Sequence, residues 1–317
     1  MGSKDNIRCK GKVRKMDNDS RIVRAIKETV KEIKFQIDYH GYYIMDSSMG
    51  NTAIRDIIMQ GNSAMIARCG ATEMRCVGEY ISTGAFSETI KREISELSGV
   101  FPATDSILKQ FCEYYMSCVA QADILALWGV GAECKVVKKK CGNKTKYTHL
   151  KALEPYYFEQ PWSAALKNKK VLVIHPFDES IKKQYRNREK LFSNLSVLPE
   201  FASLTCVQAV QSIAGQKTEF QTWFDALDYM KTQIKAIDFD VAIIGAGAYS
   251  LPLAAFVKQQ GKVAIQMSGA TQILFGIKGK RWENIPEVSK LFNEYWVRPS
   301  EKEKPKKSEK VEGGSYW

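Results

Sequence analysis

Four short stretches of this chain pair small residues with polar ones in a way that could do chemistry: Arg68-Cys-Gly-Ala-Thr-Glu73, His175-Pro-Phe177, Gly245-Ala-Gly-Ala-Tyr249 and Ser268-Gly-Ala-Thr-Gln272. Gly245-x-Gly247 follows an apolar run and precedes a helical pattern. Glycines there let backbone N–H groups approach an anion, and a helix N-terminus adds favourable partial charge, so the stretch reads as a phosphate cradle. A tight turn with glycines only for packing is the plain alternative. The third small position of a dinucleotide fingerprint would be Ser250, and the next strand end, near Ile265-Gln266, offers no acid for a ribose. That argues against a nicotinamide-dependent dehydrogenase.

Glu73 falls in the first turn of a predicted helix. An acid there stabilises the macrodipole by about 0.3–1 kcal/mol whatever its function. The functional alternative is a carboxylate facing a cleft, as a base or a substrate ligand. His175 stands where a strand must stop before Pro176; it could hydrogen-bond a phosphate or a sugar hydroxyl, or be a satisfied half-buried histidine. His40 and His149 have no ligand-like spacing with it, and neither a GxSxG elbow nor a credible Cys/His set occurs. Triad hydrolysis and a histidine metal pair are poor fits.

These stretches need elements to hold them. Ser63–Ala67, Asp123–Trp128, Lys170–Ile174, Ser203–Val207, Asp240–Ile244 and Lys262–Gln266 are short apolar runs read as strands. Helical patterns fall over 20–60, from Ala71, over 104–122, Thr222–Ala236 and Leu251–Gln260. The lysine-rich 135–148 is read as a loop or hairpin. Strands alternating with helices predict an α/β, Rossmann-like fold, a mostly parallel sheet flanked by helices with a helical N-terminal region. In such sheets ligands bind at the carboxyl ends of strands, where all four stretches fall. The expected organisation is a basic flexible N-terminus over 1–19, one α/β domain over 20–298 and a disordered tail over 299–317. The domain opens with the helical start 20–60 and carries a nucleotide-sugar half at roughly 165–285.

The whole chain has 317 residues, 47 Lys+Arg against 35 Asp+Glu and a formal charge of +12. Its 44% hydrophobic and 26% charged residues lie near the globular average, against disordered, collagen-like or coiled-coil classes. No apolar run is long enough for a membrane-spanning helix, and the first 20 residues lack the apolar core of a secretory signal. The eight scattered cysteines have no CxxC pair. A cytoplasmic location is therefore expected. Charge is concentrated in residues 1–15 (+5), 135–151 (+7) and 182–190 (+4), leaving the remainder slightly acidic. Such segments suit an anionic membrane, a nucleic acid, a phosphorylated substrate or plain solvation. No RNP motif, zinc finger or helix-turn-helix accompanies them, which disfavours nucleic acid.

The order of these motifs resembles the GT-D type of bacterial glycosyltransferases, which build surface polysaccharides and glycoproteins from nucleotide sugars. The resemblance rests on Arg68-x-Gly70-x-x-Glu73, Phe239–Ala248, Gly261–Ile265, Gly269-Ala-Thr-Gln272, Phe275-Gly276 and Lys280-Arg281-Trp282, and covers most of 50–285. It implies transfer of a sugar from a nucleotide-sugar donor, expected to be a UDP-sugar, to a glycan or lipid-linked acceptor. Peripheral contact with the anionic inner face of the plasma membrane would follow. Many relatives carry Asp-x-Glu in the first motif, the Asp helping to bind a divalent cation (Mg or Mn). Ala71 stands at that position here, which leaves no cofactor certain and puts metal dependence in question. Neutralisation of the diphosphate then falls to Arg68, the 245–249 loop, Lys280 and Arg281. Glu73 and Arg68 are the expected catalytic residues. Gly70, His175, Gly245, Gly247, Tyr249, Gly269, Gln272 and Arg281 are the expected donor-binding ones. The alternative function is a non-catalytic nucleotide- or nucleic-acid-binding module using the same cradle.

Overall fold

The computed structural model describes residues 26, 28–306, 309 and 313–317. The chain divides into two compact units at Tyr42/Tyr43. The expected flexible segment 1–19 lies outside the described residues. In the first unit, residues 28–38 form helix α1. Phe35 and Tyr39 are buried, while Ile26, Val30, Ile33 and Ile37 are exposed.

The second unit is built on one eight-stranded sheet in which every pairing is parallel. Its strands are β1 (Ile44–Met45), β2 (Ala64–Arg68), β3 (Ile124–Leu127), β4 (Lys146–His149), β5 (Lys170–His175), β6 (Ser203–Gln208), β7 (Val241–Ile244) and β8 (Val263–Gln266). They lie in the order β1-β4-β3-β2-β8-β7-β5-β6. A parallel sheet is covered on both faces, so its strands are continuous apolar runs; β3, β7 and β8 are buried at every position.

Alternate strand residues face opposite layers. Ile66, Ile124, Val173, Ile243 and Ile265 share one core cluster with Ile54 and Ile58 of α2 (Ser47–Gln60) and Ile181 of α7 (Asp178–Tyr185). On the other face α10 (Ser250–Gln259) packs on β2, β7 and β8, with α5 (Asp105–Val119) and α9 (Trp223–Lys235) against it and α9 reaching β6. The remaining longer helices are α3 (Ala71–Thr83), α4 (Glu88–Ser98) and α6 (Glu133–Lys140). Short helical turns α8 (Arg188–Leu191), α11 (Ala270–Leu274), α12 (Lys280–Glu283) and α13 (Pro286–Ser289) complete the unit.

Three sequence expectations need correction. The helical reading of 20–60 breaks at Gly41, whose φ of +83° turns the chain into β1, and Asp46 then caps α2 by accepting from the Met49 amide. The lysine-rich stretch is the helix α6 followed by β4, parallel to β3. Its two buried apolar residues, Val136 and Val137, are too few to show a helical period, and Lys138–Lys140 occupy the last turn, where cations suit the dipole. The 299–317 tail is not disordered in its described part. Glu303 is buried, its carboxylate accepting from the Ser180 amide at 3.0 Å, and Trp317 belongs to the core cluster.

Candidate functional site

The chain leaves β2 toward β3 on one side and reaches the segment after β8 on the other, so the carboxyl ends of these neighbouring strands bound a crevice. A cavity of about 430 Å³ opens there. Arg68, Gly70, Glu73, His175, Gly245, Gly247, Tyr249, Gly269, Gln272 and Arg281 line it, whereas Lys280, also expected to face the diphosphate, lines a separate depression beside the C-terminal segment. Their local roles differ considerably.

Arg68 ends β2, its amide donating to Gln266 Oε1 at 2.9 Å across to β8. Its guanidinium lies over the Trp128 ring at 4.7 Å. Trp128 is fixed in turn by Nε1 donating to the Cys69 carbonyl at 2.9 Å and by its own amide donating to Glu133 Oε2 at 3.1 Å. Arg68 Nε is buried with no acceptor among the described residues. A buried charged donor left unmet costs about 1–3 kcal/mol or more, which an anionic ligand would relieve.

The spacing of Gly70 and Glu73 has a steric cause. Gly70 caps α3 and Glu73 is its third residue; a Cβ on Gly70 would collide with the Glu73 carboxylate, which folds back over the cap. The Gly70 amide donates to Tyr115 Oη at 3.0 Å. Burial pushes the Glu73 carboxyl above its usual range, opposed by its own amide, Ser98, Arg68 and Arg75. Glu73 is only 7% exposed.

Across the crevice, a Cβ on Gly245 would lie 2.5 Å from the Ser268 carbonyl and 2.7 Å from the His175 ring, so only glycine lets the two loops close together. The amides of Gly245, Ala246 and Tyr249 are used by Ile174 O, Ser250 Oγ and Ala246 O. Gly247, with φ of +54°, has an amide with no acceptor among the described residues. His175 Nδ1 accepts from the Phe177 amide at 3.0 Å, and burial lowers its pKa to about 3. It is a neutral imidazole with its proton on Nε2.

Tyr249, Gln272 and Arg281 chiefly build the walls. Tyr249 stacks on Trp223 with centroids 5.0 Å apart, and its hydroxyl meets Ser212 Oγ at 3.1 Å while Ser212 donates to the Gly99 carbonyl. Gln272 Nε2 donates to the carbonyls of Ile277 and Tyr316. Arg281 stacks over Trp282 and Tyr316 and donates to Tyr316 Oη at 2.8 Å. Gly269 leaves room for the Tyr316 ring, 2.8 Å from where a Cβ would sit. Phe177, Trp317, Tyr316 and Trp282 thereby form a continuous aromatic wall, each ring within 6.1 Å of the next.

Several lining residues escaped the sequence reading. Trp128 directly follows β3, so the same strand-end rule reaches it. Glu154 follows β4 by way of a short 3-10 helix, and with β4 unread its strand end was invisible. Burial raises the Glu154 pKa, opposed by Tyr156 and Arg68, and Tyr156 Oη donates to its Oε2 at 2.8 Å. Tyr316 and Trp317 lay in the stretch read as a tail. The cavity also draws on residues well outside 165–285.

Glu73 and Glu154 are the carboxylates among the lining residues, and no three His, Cys, Asp or Glu side chains converge on a metal-binding group among the described residues. No family model matches the chain, nor does any curated protein or solved structure. No helix among the described residues is long and apolar enough to cross a membrane.

Proposed function

We propose that the protein is a glycosyltransferase of the GT-D type that takes a nucleotide sugar, a UDP-sugar in first instance, and passes the sugar to a hydroxyl of a glycan or lipid-linked acceptor. The observation that carries this reading is Arg68: a guanidinium stacked on Trp128 in a crevice at strand ends, with a buried N–H that has no acceptor among the described residues. It is the group a diphosphate needs, and the Gly247 amide is a second donor on the opposite loop. In this reading Arg68 and that amide take up charge as the diphosphate leaves. His175 offers a neutral Nε2–H donor. Glu73 accepts from hydroxyls of the donor sugar. The cavity volume lies in the range of ordinary small-ligand sites.

The basic segments add a second element to the proposal. Lysines near an anionic leaflet contribute about 1 kcal/mol each, suiting an enzyme that meets a membrane-tethered acceptor from the inner face. The test is release of UDP from a panel of UDP-sugars offered with sugar and polyprenyl-phosphate acceptors, followed by mass analysis of the products. A glycosylated product is expected with at least one donor, and Glu73→Gln should reduce its formation without changing the melting temperature. Full activity in that variant would contradict the role given to Glu73.

A further inference from the structure

Resting on the reading just given, we propose that Glu154 is the general base of the transfer reaction and that Glu154 and Tyr157 together form the subsite for a sugar-hydroxyl acceptor. Two carboxylates line the cavity, and they are held differently. Glu73 is folded over the start of its own helix. It is 7% exposed, and its carboxylate is packed against the Gly70 cap. Glu154 lies outside any regular helix, between two 3-10 turns, and is more open to the cavity. A phenol, Tyr156 Oη, fixes its Oε2 at 2.8 Å. That donor is neutral, so it orients the carboxylate and leaves it more basic than an ion pair would.

The surroundings match the ligand class. Tyr157 follows in sequence, lines the same cavity and carries Lys151 Nζ 5.0 Å from its ring centroid. Leu150 and Leu153 extend the apolar lining beside it. An aromatic face next to a fixed carboxylate is what a pyranose uses, its C–H face against the ring and a hydroxyl on the carboxylate. Burial raises the Glu154 pKa above the usual carboxylate range against the opposing pull of Tyr156, Arg68, Tyr157 and Lys151, which brings it closer to that of a useful base at neutral pH.

The acceptor oxygen bonds to the anomeric carbon while the bond from that carbon to the diphosphate oxygen breaks. The hydroxyl proton passes to Glu154, and the leaving diphosphate keeps the electron pair beside Arg68.

The experiment compares wild type, Glu154→Gln, Glu154→Ala and Tyr156→Phe in UDP-sugar binding by calorimetry and in transfer kinetics, with melting curves as a control for folding. Expected results are a fall in kcat of at least about a hundredfold in Glu154→Gln with donor affinity within threefold, the range of lost general-base catalysis. Formate should restore part of the activity of Glu154→Ala. Tyr156→Phe, which removes the hydrogen bond that lowers the Glu154 pKa, should move the acidic limb of kcat/KM to higher pH. Transfer by Glu154→Gln within threefold of wild type, or an unmoved limb in Tyr156→Phe, would overturn the base assignment while leaving the transferase reading intact. A wild type that neither binds nor turns over any UDP-sugar would overturn both.

Discussion

At the scale of single residues, the site is shaped by what small residues allow. Gly70 permits the Glu73 carboxylate to fold over the helix cap, so Gly70→Ala should destabilise the protein by about 1–3 kcal/mol in chemical denaturation, as overpacking does. Adding Glu73→Ala should recover most of that loss, and simple additivity of the two would refute the steric coupling. His175 gives a pH signature. Its folded pKa is depressed to about 3 by burial, so below its ordinary value near 6.5 the unfolded chain binds the additional proton. Stability is therefore fully present above pH 6.5 and lost as pH falls toward 3, by about 2 kcal/mol between pH 7 and pH 5. Denaturation of His175→Asn at the two pH values should lack that increment. Arg68, Gly70 and Glu73 were legible because RxGxxE stands at a strand end. What each does was not: sequence alone cannot show a carboxylate turned back over its own cap, or an imidazole whose Nδ1 is taken by the Phe177 amide.

At the scale of elements, the apolar runs that became β2, β3, β5, β7 and β8 were readable because each is a short, largely buried strand, and edge strand β6, half-buried with only Val207 fully inside, was readable from its short apolar and β-branched run. Lys146–His149 escaped because a strand next to the sheet edge, with both ends exposed and only Tyr147 and Thr148 buried, carries no continuous apolar signal. That loss hid Glu154. The C-terminal segment escaped for a related reason: a Lys/Glu-rich composition reads as solvated, yet its last two aromatic residues complete the cavity wall. Gln272 Nε2 and Arg281 hold Tyr316, and Arg298 donates to the Trp317 carbonyl at 2.9 Å. Trp317→Ala should lower stability by about 3 kcal/mol, the scale of emptying a large aromatic from a core. It should also weaken ligand binding, whereas substitution of exposed Lys302 should do neither. A melting temperature for Trp317→Ala equal to that of wild type would show that the segment does not pack on the wall.

At the scale of the whole molecule, the +12 charge lies in separate places. Lys138, Lys139 and Lys140 end α6 in solvent, where the proposed membrane attraction would act, while Arg68 lies in the crevice. Replacing the three lysines by alanine should weaken binding to anionic vesicles by up to about a hundredfold at low salt, at about 1 kcal/mol per lysine, with little effect in 0.5 M salt. Turnover of a soluble acceptor should be unaffected. Equal vesicle binding by the variant would remove the membrane role of this segment. The central claim concerns the crevice, and calorimetric titration of UDP into wild type and Arg68→Ala tests it most directly. The account predicts saturable binding by wild type that weakens at least tenfold in Arg68→Ala; no binding, or equal affinity in the two proteins, would contradict it.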